Sequence, residues 1–266
     1  MGISFLYNFD LGNRNILNPG SNILSVTSTA AGDFDKANLT TDSTRQKWRS
    51  ADIASWQEIV IQAELSTNID TFAIINHNLS PDAVIVLQAN TSNSFLVPPV
   101  NITIPWSKAN TIWCTALGGS YSYYKLRILD PTNPCGYIEI GRIVGGRALT
   151  MINNEDMSDP FSIDYNDKSK KMNAEGFFRV STEIVVSRSL KYQFDRLNTA
   201  SGTLNANFVG LQDLYATVLT TKPFVSILDR NNPSFVNMWG QLRQMPSEAY
   251  DINQFMSQQV QIDEIF

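Results

Sequence analysis

The stretch "YYKLRIL", Tyr123 to Leu129, alternates apolar and charged side chains with a period of two. Tyr124, Leu126 and Ile128 share one side of an extended chain and Lys125 and Arg127 the other, the pattern of a strand with one buried and one wet face. The period recurs on both sides of it. In "QEIVIQAE" (57–64), Ile59, Ile61 and Ala63 point one way, framed by Glu58, Gln62 and Glu64, and "DTFAIINH" (70–77), "AVIVLQA" (83–89), "TIWCT" (111–115) and "YIEIGRIV" (137–144) read as further strands. The connections "NHNLSPD", "NTSN", "LGGS" and "DPTNPCG" carry the residues that turns require. Short strands at this spacing, with almost no helical period before residue 150, predict a mainly β chain that opens on a jelly-roll β-sandwich, residues 1–149, with an N-terminal arm.

After "GRALT" the character changes. Residues 152–175 are polar and aperiodic and read as a long loop or hairpin excursion. Strand-like stretches resume at "GFFRVSTEIVVS" and "SLKYQFD". Phe208, Leu211, Leu214, Tyr215 and Val218 then fall on one helical face, with Asn205 or Asn207 as N-cap and "TTKP" as the stop. "FVSILDR", "VNMWGQL" and "QQVQIDEIF" return to strand. A smaller α+β domain, 150–266, is expected. Neither half shows an internal repeat.

Composition narrows the function. The chain has 266 residues, 43% hydrophobic, and only 17% charged, against roughly 25% in an average soluble domain. Asn, Ser and Thr replace the missing charge. Uncharged polar surface suits permanent assembly, because burying it costs less than burying an unpaired Lys or Glu. A net charge of −5 and a pI near 4.9 offer no footprint for a phosphate backbone, so nucleic acid is not an expected ligand. The basic cluster Lys168, Lys170 and Lys171 follows Asp164 and Asp167 and reads as a solvated hairpin or loop tip. No apolar stretch approaches the roughly 20 residues of a membrane span. The start "MGISFLYNFDLGN" lacks a basic leader, so synthesis in a cytoplasm is expected.

The chemistry available is sparse. His77, in "NHNLSPD", is the one histidine, so any serine or cysteine triad must use it. It ends an apolar strand before a polar turn, and no G-x-S-x-G elbow occurs, so it reads as a hydrogen-bonded turn residue and no catalytic residue is expected. Cys114 and Cys135 lack the paired spacing and neighbouring histidines of a zinc site; a disulfide between them is geometrically open, although a reducing compartment disfavours it. Glu155, Asp156 and Asp159 lack the spacing and glycine of a calcium loop, and the glycines at 118 and 145 open no phosphate cradle. No metal and no cofactor are expected. The sequons at Asn38, Asn78, Asn90 and Asn101 read as chance in an Asn-rich chain. Aromatics remain: Trp48 and Trp56 read as structural, whereas Trp106, in "IPWSKAN", and Tyr121 are the candidate glycan contacts.

The order "NLTTDSTRQKWRS", "WQEIVIQAEL", "IDTFAIINHNLSPDAVIVLQAN" and "YYKLRILDPTNPCGYIEIGRIVGG" resembles the discoidin-like, or galactose-binding-like, jelly-roll module of structural proteins in tailed bacteriophages. "TKPFVSILDRN", "MWGQL" and the acidic, Ile-containing end are similar to the tail of the same virion proteins. The resemblance implies a non-enzymatic tail-tip or baseplate (distal-tail-like) subunit, made in the host cytoplasm and located in the virion. Its implied partners are copies of itself in a symmetric assembly and the tube, hub and fibre proteins. It also leaves open an alternative, a carbohydrate-binding module on the virion that attaches to host surface glycans through Trp106 and Tyr121.

Overall fold

A computed structural model describes residues 3–7, 22–151, 161–166, 170–173, 179–182, 187–198, 206–233, 236–246, 249–250 and 255–265. The fold is mainly β and divides into two units, 1–151 with 224–239, and 152–223 with 240–265. The sequence suggests a single cut near residue 150; the first unit also takes in Phe224–Trp239.

The first unit contributes β1 (Ser4–Tyr7), β2 (Asn22–Val26), β3 (Trp48–Arg49), β4 (Gln57–Thr67), β5 (Thr71–His77), β6 (Val84–Asn90), β7 (Val100–Ile104), β8 (Asn110–Trp113), β9 (Tyr121–Leu129), β10 (Glu139–Gly146) and β11 (Leu149–Thr150). Two antiparallel sheets form the sandwich, one of five strands in the order β2-β4-β9-β6-β7 and one of four in the order β3-β10-β5-β8. That is the jelly-roll sandwich the periodicity predicts. The alternating residues meet across it: Ile59, Ile61, Ile85, Leu87, Leu126 and Ile128 from the first sheet face Phe72, Ile74, Ile140 and Ile143 from the second, with Trp48 buried among them. Non-directional burial of this kind supplies the main driving force. Register is carried by cross-strand partners, Ile59 opposite Leu126 and Leu126 opposite Leu87.

Strand β10 departs from the simple pattern. Its pairing with β5 passes from Ile140–His77 to Arg142–Ile75 without a change of register, leaving Gly141 opposite Asn76, whose φ is +52°. A Cβ at Gly141 would lie 2.9 Å from the Thr44 carbonyl oxygen and 3.2 Å from the Asn76 Cβ, so the close approach requires glycine. Beyond this pair Arg142, Ala73, Ile75 and Val144 share the face turned away from the core, and all four are buried. The first unit's last segment accounts for this: β16 (Phe224–Ile227) pairs with β1, and the turn and strand that follow reach the four-stranded sheet. The Arg142 guanidinium lies 5.0 Å from the Trp239 ring centroid, Asn110 Nδ2 donates to Asn237 Oδ1 at 3.3 Å, and Arg230 donates to the Asp70 carbonyl at 3.0 Å and to Thr150 Oγ1 at 3.1 Å. The cover over Arg142 lies almost a hundred residues further along, so a local period gives no sign of it.

The second unit holds β12 (Ser162–Asn166), β13 (Lys170–Asn173), β14 (Arg179–Thr182), β15 (Ser187–Asn198), the helix α1 (Ala206–Val218), β18 (Ala249–Tyr250) and β19 (Phe255–Glu264). The strand β17 (Asn237–Leu242) passes from the first unit into it at Gly240. Here β12 pairs with β15, β15 with β19, and β19 with both β18 and the end of β17, all antiparallel. Leu211, Leu214, Tyr215 and Val218 are buried, as the helical face predicts, and Phe208 is half-buried. Tyr215 Oη donates to Gln258 Oε1 at 3.1 Å, which ties the helix to β19. Helix α1 begins at Ala206, so Asn207 sits in its first turn rather than at the cap; Asn205 lies outside the described residues. The helix ends on Leu219 at φ +49°. The stretch 152–175, expected as a long loop or hairpin excursion, contains β12, which pairs with β15, and β13, which pairs with β14.

The buried guanidinium generates a contrast. Arg142 is 1% exposed and bonds the Thr41 carbonyl at 2.8 Å and the Asp42 carboxylate, while burial pushes its pKa down. Asp42→Ala leaves that cation without its counter-charge and is expected to cost about 2 kcal/mol. Arg142→Met, which keeps the stem and removes the charge, is expected to cost less. Urea denaturation of the two variants reads the difference, and a costlier Arg142→Met would reverse the assignment.

Candidate functional site

His77 closes β5 and sits at the centre of a network of turns. Its backbone N–H donates to the Ala109 carbonyl at 3.2 Å. Its Nδ1 accepts from the Leu79 N–H at 3.2 Å, which places the neutral ring's proton on Nε2, 2.9 Å from Thr111 Oγ1. Both nitrogens are thus engaged. Burial pushes the pKa down to about 4, while the Ser107 backbone and the Asp130 charge pull the other way and Lys47 adds to the depression. A base for activating a nucleophile near pH 7 needs a free nitrogen and a pKa near the working pH; His77 has neither.

The turn that follows is built on Asp130, a fully buried carboxylate. It accepts from the Ser80 N–H at 2.9 Å, from the Ser80 hydroxyl, and from Asn133 Nδ2 at 2.9 Å. Asn78 completes the arrangement: its amide donates to the Tyr137 carbonyl at 3.0 Å and accepts from the Glu139 N–H at 2.7 Å. The segments "NHNLSPD" and "DPTNPCG", loops by sequence, are thereby sewn together by side chains that imitate backbone partners.

Cys114 is half-buried and Cys135 exposed, and both are free thiols. Burial raises the Cys114 pKa to about 11, which keeps it protonated and unreactive. Among the described residues no group of three or more His, Cys, Asp or Glu side chains is placed to hold a metal ion, and no helix is long and apolar enough to cross a membrane. Glu155, Asp156, Asp159 and Lys168 lie outside the described residues; Lys170 and Lys171 fall on β13, paired with β14.

The two nominated glycan rings are partly buried. Trp106 packs against the sandwich core and donates its indole N–H to the Leu79 carbonyl at 2.9 Å, so its polar edge is already committed. Tyr121 also packs against the core. Trp48, read as structural, is fully buried and donates to Thr29 Oγ1 at 3.3 Å.

A surface that sequence reasoning did not single out is the outer face of the five-stranded sheet. Glu58 pairs there with Lys125 at 3.2 Å and Arg127 at 2.8 Å. Each cation also lies over a ring, Lys125 4.7 Å from the Phe95 centroid and Arg127 4.4 Å from that of Trp56. Gln88 donates to Asn101 at 3.2 Å beside them. The alternation in "YYKLRIL" was the signal for this face. At its margin the 91–99 connection leaves Leu96 91% and Val97 85% exposed.

No protein-family model matches the chain, and no curated protein sequence does. Among solved structures, the chain is similar to the reduced XRCC1 chain bound to the DNA polymerase β catalytic domain, at 12% identity over 47% of this chain and 95% of that one, with a TM-score of 0.38. It is similar to a family 32 carbohydrate-binding module of a Clostridium perfringens glycoside hydrolase, at 13% over 50% and 94%, TM-score 0.39. The lectin domain of lectinolysin, complexed with Lewis B antigen, matches at 12% over 53% and 100%, TM-score 0.40. The fold assignment rests on the two sheets themselves.

His77 makes acid sensitivity measurable. The unfolded imidazole protonates near pH 6.5 and the folded one only near 4, so the unfolded state takes up the proton first as pH falls. Stability from this residue is full above pH 6.5 and is lost down to about pH 4, by about 3 kcal/mol. Urea denaturation at pH 7 and 4.5 should show a steeper loss for the wild type than for His77→Gln; parallel losses would remove His77 as the cause.

Proposed function

We propose that the chain is a non-catalytic assembly subunit, serving in the tail tip or baseplate of a tailed bacteriophage. Copies of it would join in closed symmetry and link tube or hub to other tip proteins or fibres. The assembly reading is carried by the uncharged, apolar exposure at Leu96 and Val97 beside the sandwich. Two adjacent aliphatic side chains held in water lose hydrophobic stabilisation that a protein partner restores. The low charge of the whole chain supports it, since an interface made of Asn, Thr and aliphatic groups avoids desolvating ions. The tail setting is supported by the ordered sequence resemblance. The engaged His77 and the protonated Cys114 fit a protein whose work is contact rather than turnover.

Antibody labelling of virions in negative stain tests the setting. Label at the distal end of tails is the expected result, and label on heads, or none on virions, overturns it.

A second reading, a module that binds host glycans, is favoured by the wet sheet face. Trp56, Phe95 and Tyr123 are carried there with the amides of Asn90 and Asn101, and flat rings among planar polar groups suit sugars. Glycan-array binding that falls at least tenfold in Trp56→Ala would establish it. On the assembly reading no glycan binds, and Trp106→Ala virions adsorb as wild type does.

A further inference from the structure

We infer that β7 is a self-pairing edge, through which two copies of this chain join their five-stranded sheets strand to strand. This inference rests on the assembly reading and names its surface. β7 is the last strand of the order β2-β4-β9-β6-β7, and alternate residues of an edge strand turn their backbone N–H and C=O groups outward.

Folded proteins blunt such edges with bulges, charges, short strands or covering segments. The sandwich protects its other edges in these ways. β2, the opposite edge of the same sheet, is bulged between Ile23 and Ser25. In the four-stranded sheet β3 has only two residues, and all four residues of β8 are buried. Among the described residues β7 carries no bulge, no charge and no strand paired on its outer side. It pairs with β6 in unbroken register from Ile104–Ile85 to Val100–Ala89, it contains no charged residue, and Asn101 and Thr103 are exposed. Pro99 and Pro105 flank it, and since proline donates no ladder hydrogen bond they confine any added strand to the five residues between them.

The sequence of those residues, VNITI, selects a second copy as the occupant. Antiparallel pairing about Ile102 sets Val100 against Ile104, Asn101 against Thr103, and Ile102 against its own counterpart. Every opposed pair is then apolar with apolar or amide with hydroxyl, and no like charges meet. A two-fold axis requires that self-complementarity. Leu96 and Val97, in the connection that leads into β7, supply aliphatic surface for the partner to cover.

Sedimentation of the full chain, with charge-reversal pairs at the exposed positions, tests this. The wild type is expected at twice 29.7 kDa at micromolar concentration. The N101K/T103K double variant sets lysine against lysine and N101E/T103E sets glutamate against glutamate, so each alone should sediment as a monomer with a thermal midpoint close to wild type. Mixed in equal amounts they should recover the dimer. A wild type that remains monomeric, or double variants that still dimerise, overturns the inference. In the second case the assembly reading survives through another surface; in the first, virion labelling decides that reading independently. Loss of folding in both doubles moves the decision to L96S/V97S, which should weaken the dimer at least tenfold in Kd and overturns the inference if it does not.

Discussion

The sandwich depends on the pleat of β9. This strand is central in its sheet, hydrogen-bonded to β4 on one side and β6 on the other, and it sends Tyr124, Leu126 and Ile128 inward without exception. A slip of one residue against either neighbour would carry Lys125 and Arg127 into the core and expel three fully buried side chains, so one register is available. The cations that the pleat keeps outside then organise the outer face around Glu58.

Few charges, each with several partners, recur through the first unit. Arg49 bonds Glu139 while its guanidinium lies between two rings, 3.8 Å from the Phe34 centroid and 4.0 Å from that of Tyr137, and Lys47 approaches the same carboxylate at 3.5 Å. Lys125, Arg127 and Arg142 likewise combine a carboxylate with an aromatic face. A planar guanidinium can stack and bond in one posture, which suits a chain with few ions to spare. These clusters fasten short strands and loops whose own apolar surface is small, β3 above all.

Much of this was legible in the sequence because it is periodic. The alternations in β4, β6 and β9 and the helical face of α1 predict both element type and buried side correctly, and a histidine before a polar turn proves to be a turn residue. What was not legible depends on contacts distant in the chain. Arg142 looks like Arg127 until Trp239 is placed over it. Trp106, in a connection with lysine and proline, looks exposed until the Leu79 carbonyl takes its N–H. Strands β12 and β13 are polar enough to leave loop and hairpin undecided, and only pairing partners define them. The unprotected state of β7 is likewise a property of its neighbours rather than of its own five residues.

The return of Phe224–Trp239 to the first unit has a consequence for synthesis. When β10 leaves the ribosome the sandwich strands are complete, yet Ala73, Ile75, Arg142 and Val144 await cover that is translated only after the whole of 152–223. At ordinary elongation speeds the interval is on the order of several seconds, long compared with hydrophobic collapse. During it the nascent chain presents an apolar sheet face with the Arg142 guanidinium at its middle, already held by Thr41 and Asp42 but still without its aromatic cover. A charged pair is poorly tolerated in a greasy contact, so it would discourage neighbouring nascent chains from sticking there before the proper tryptophan arrives.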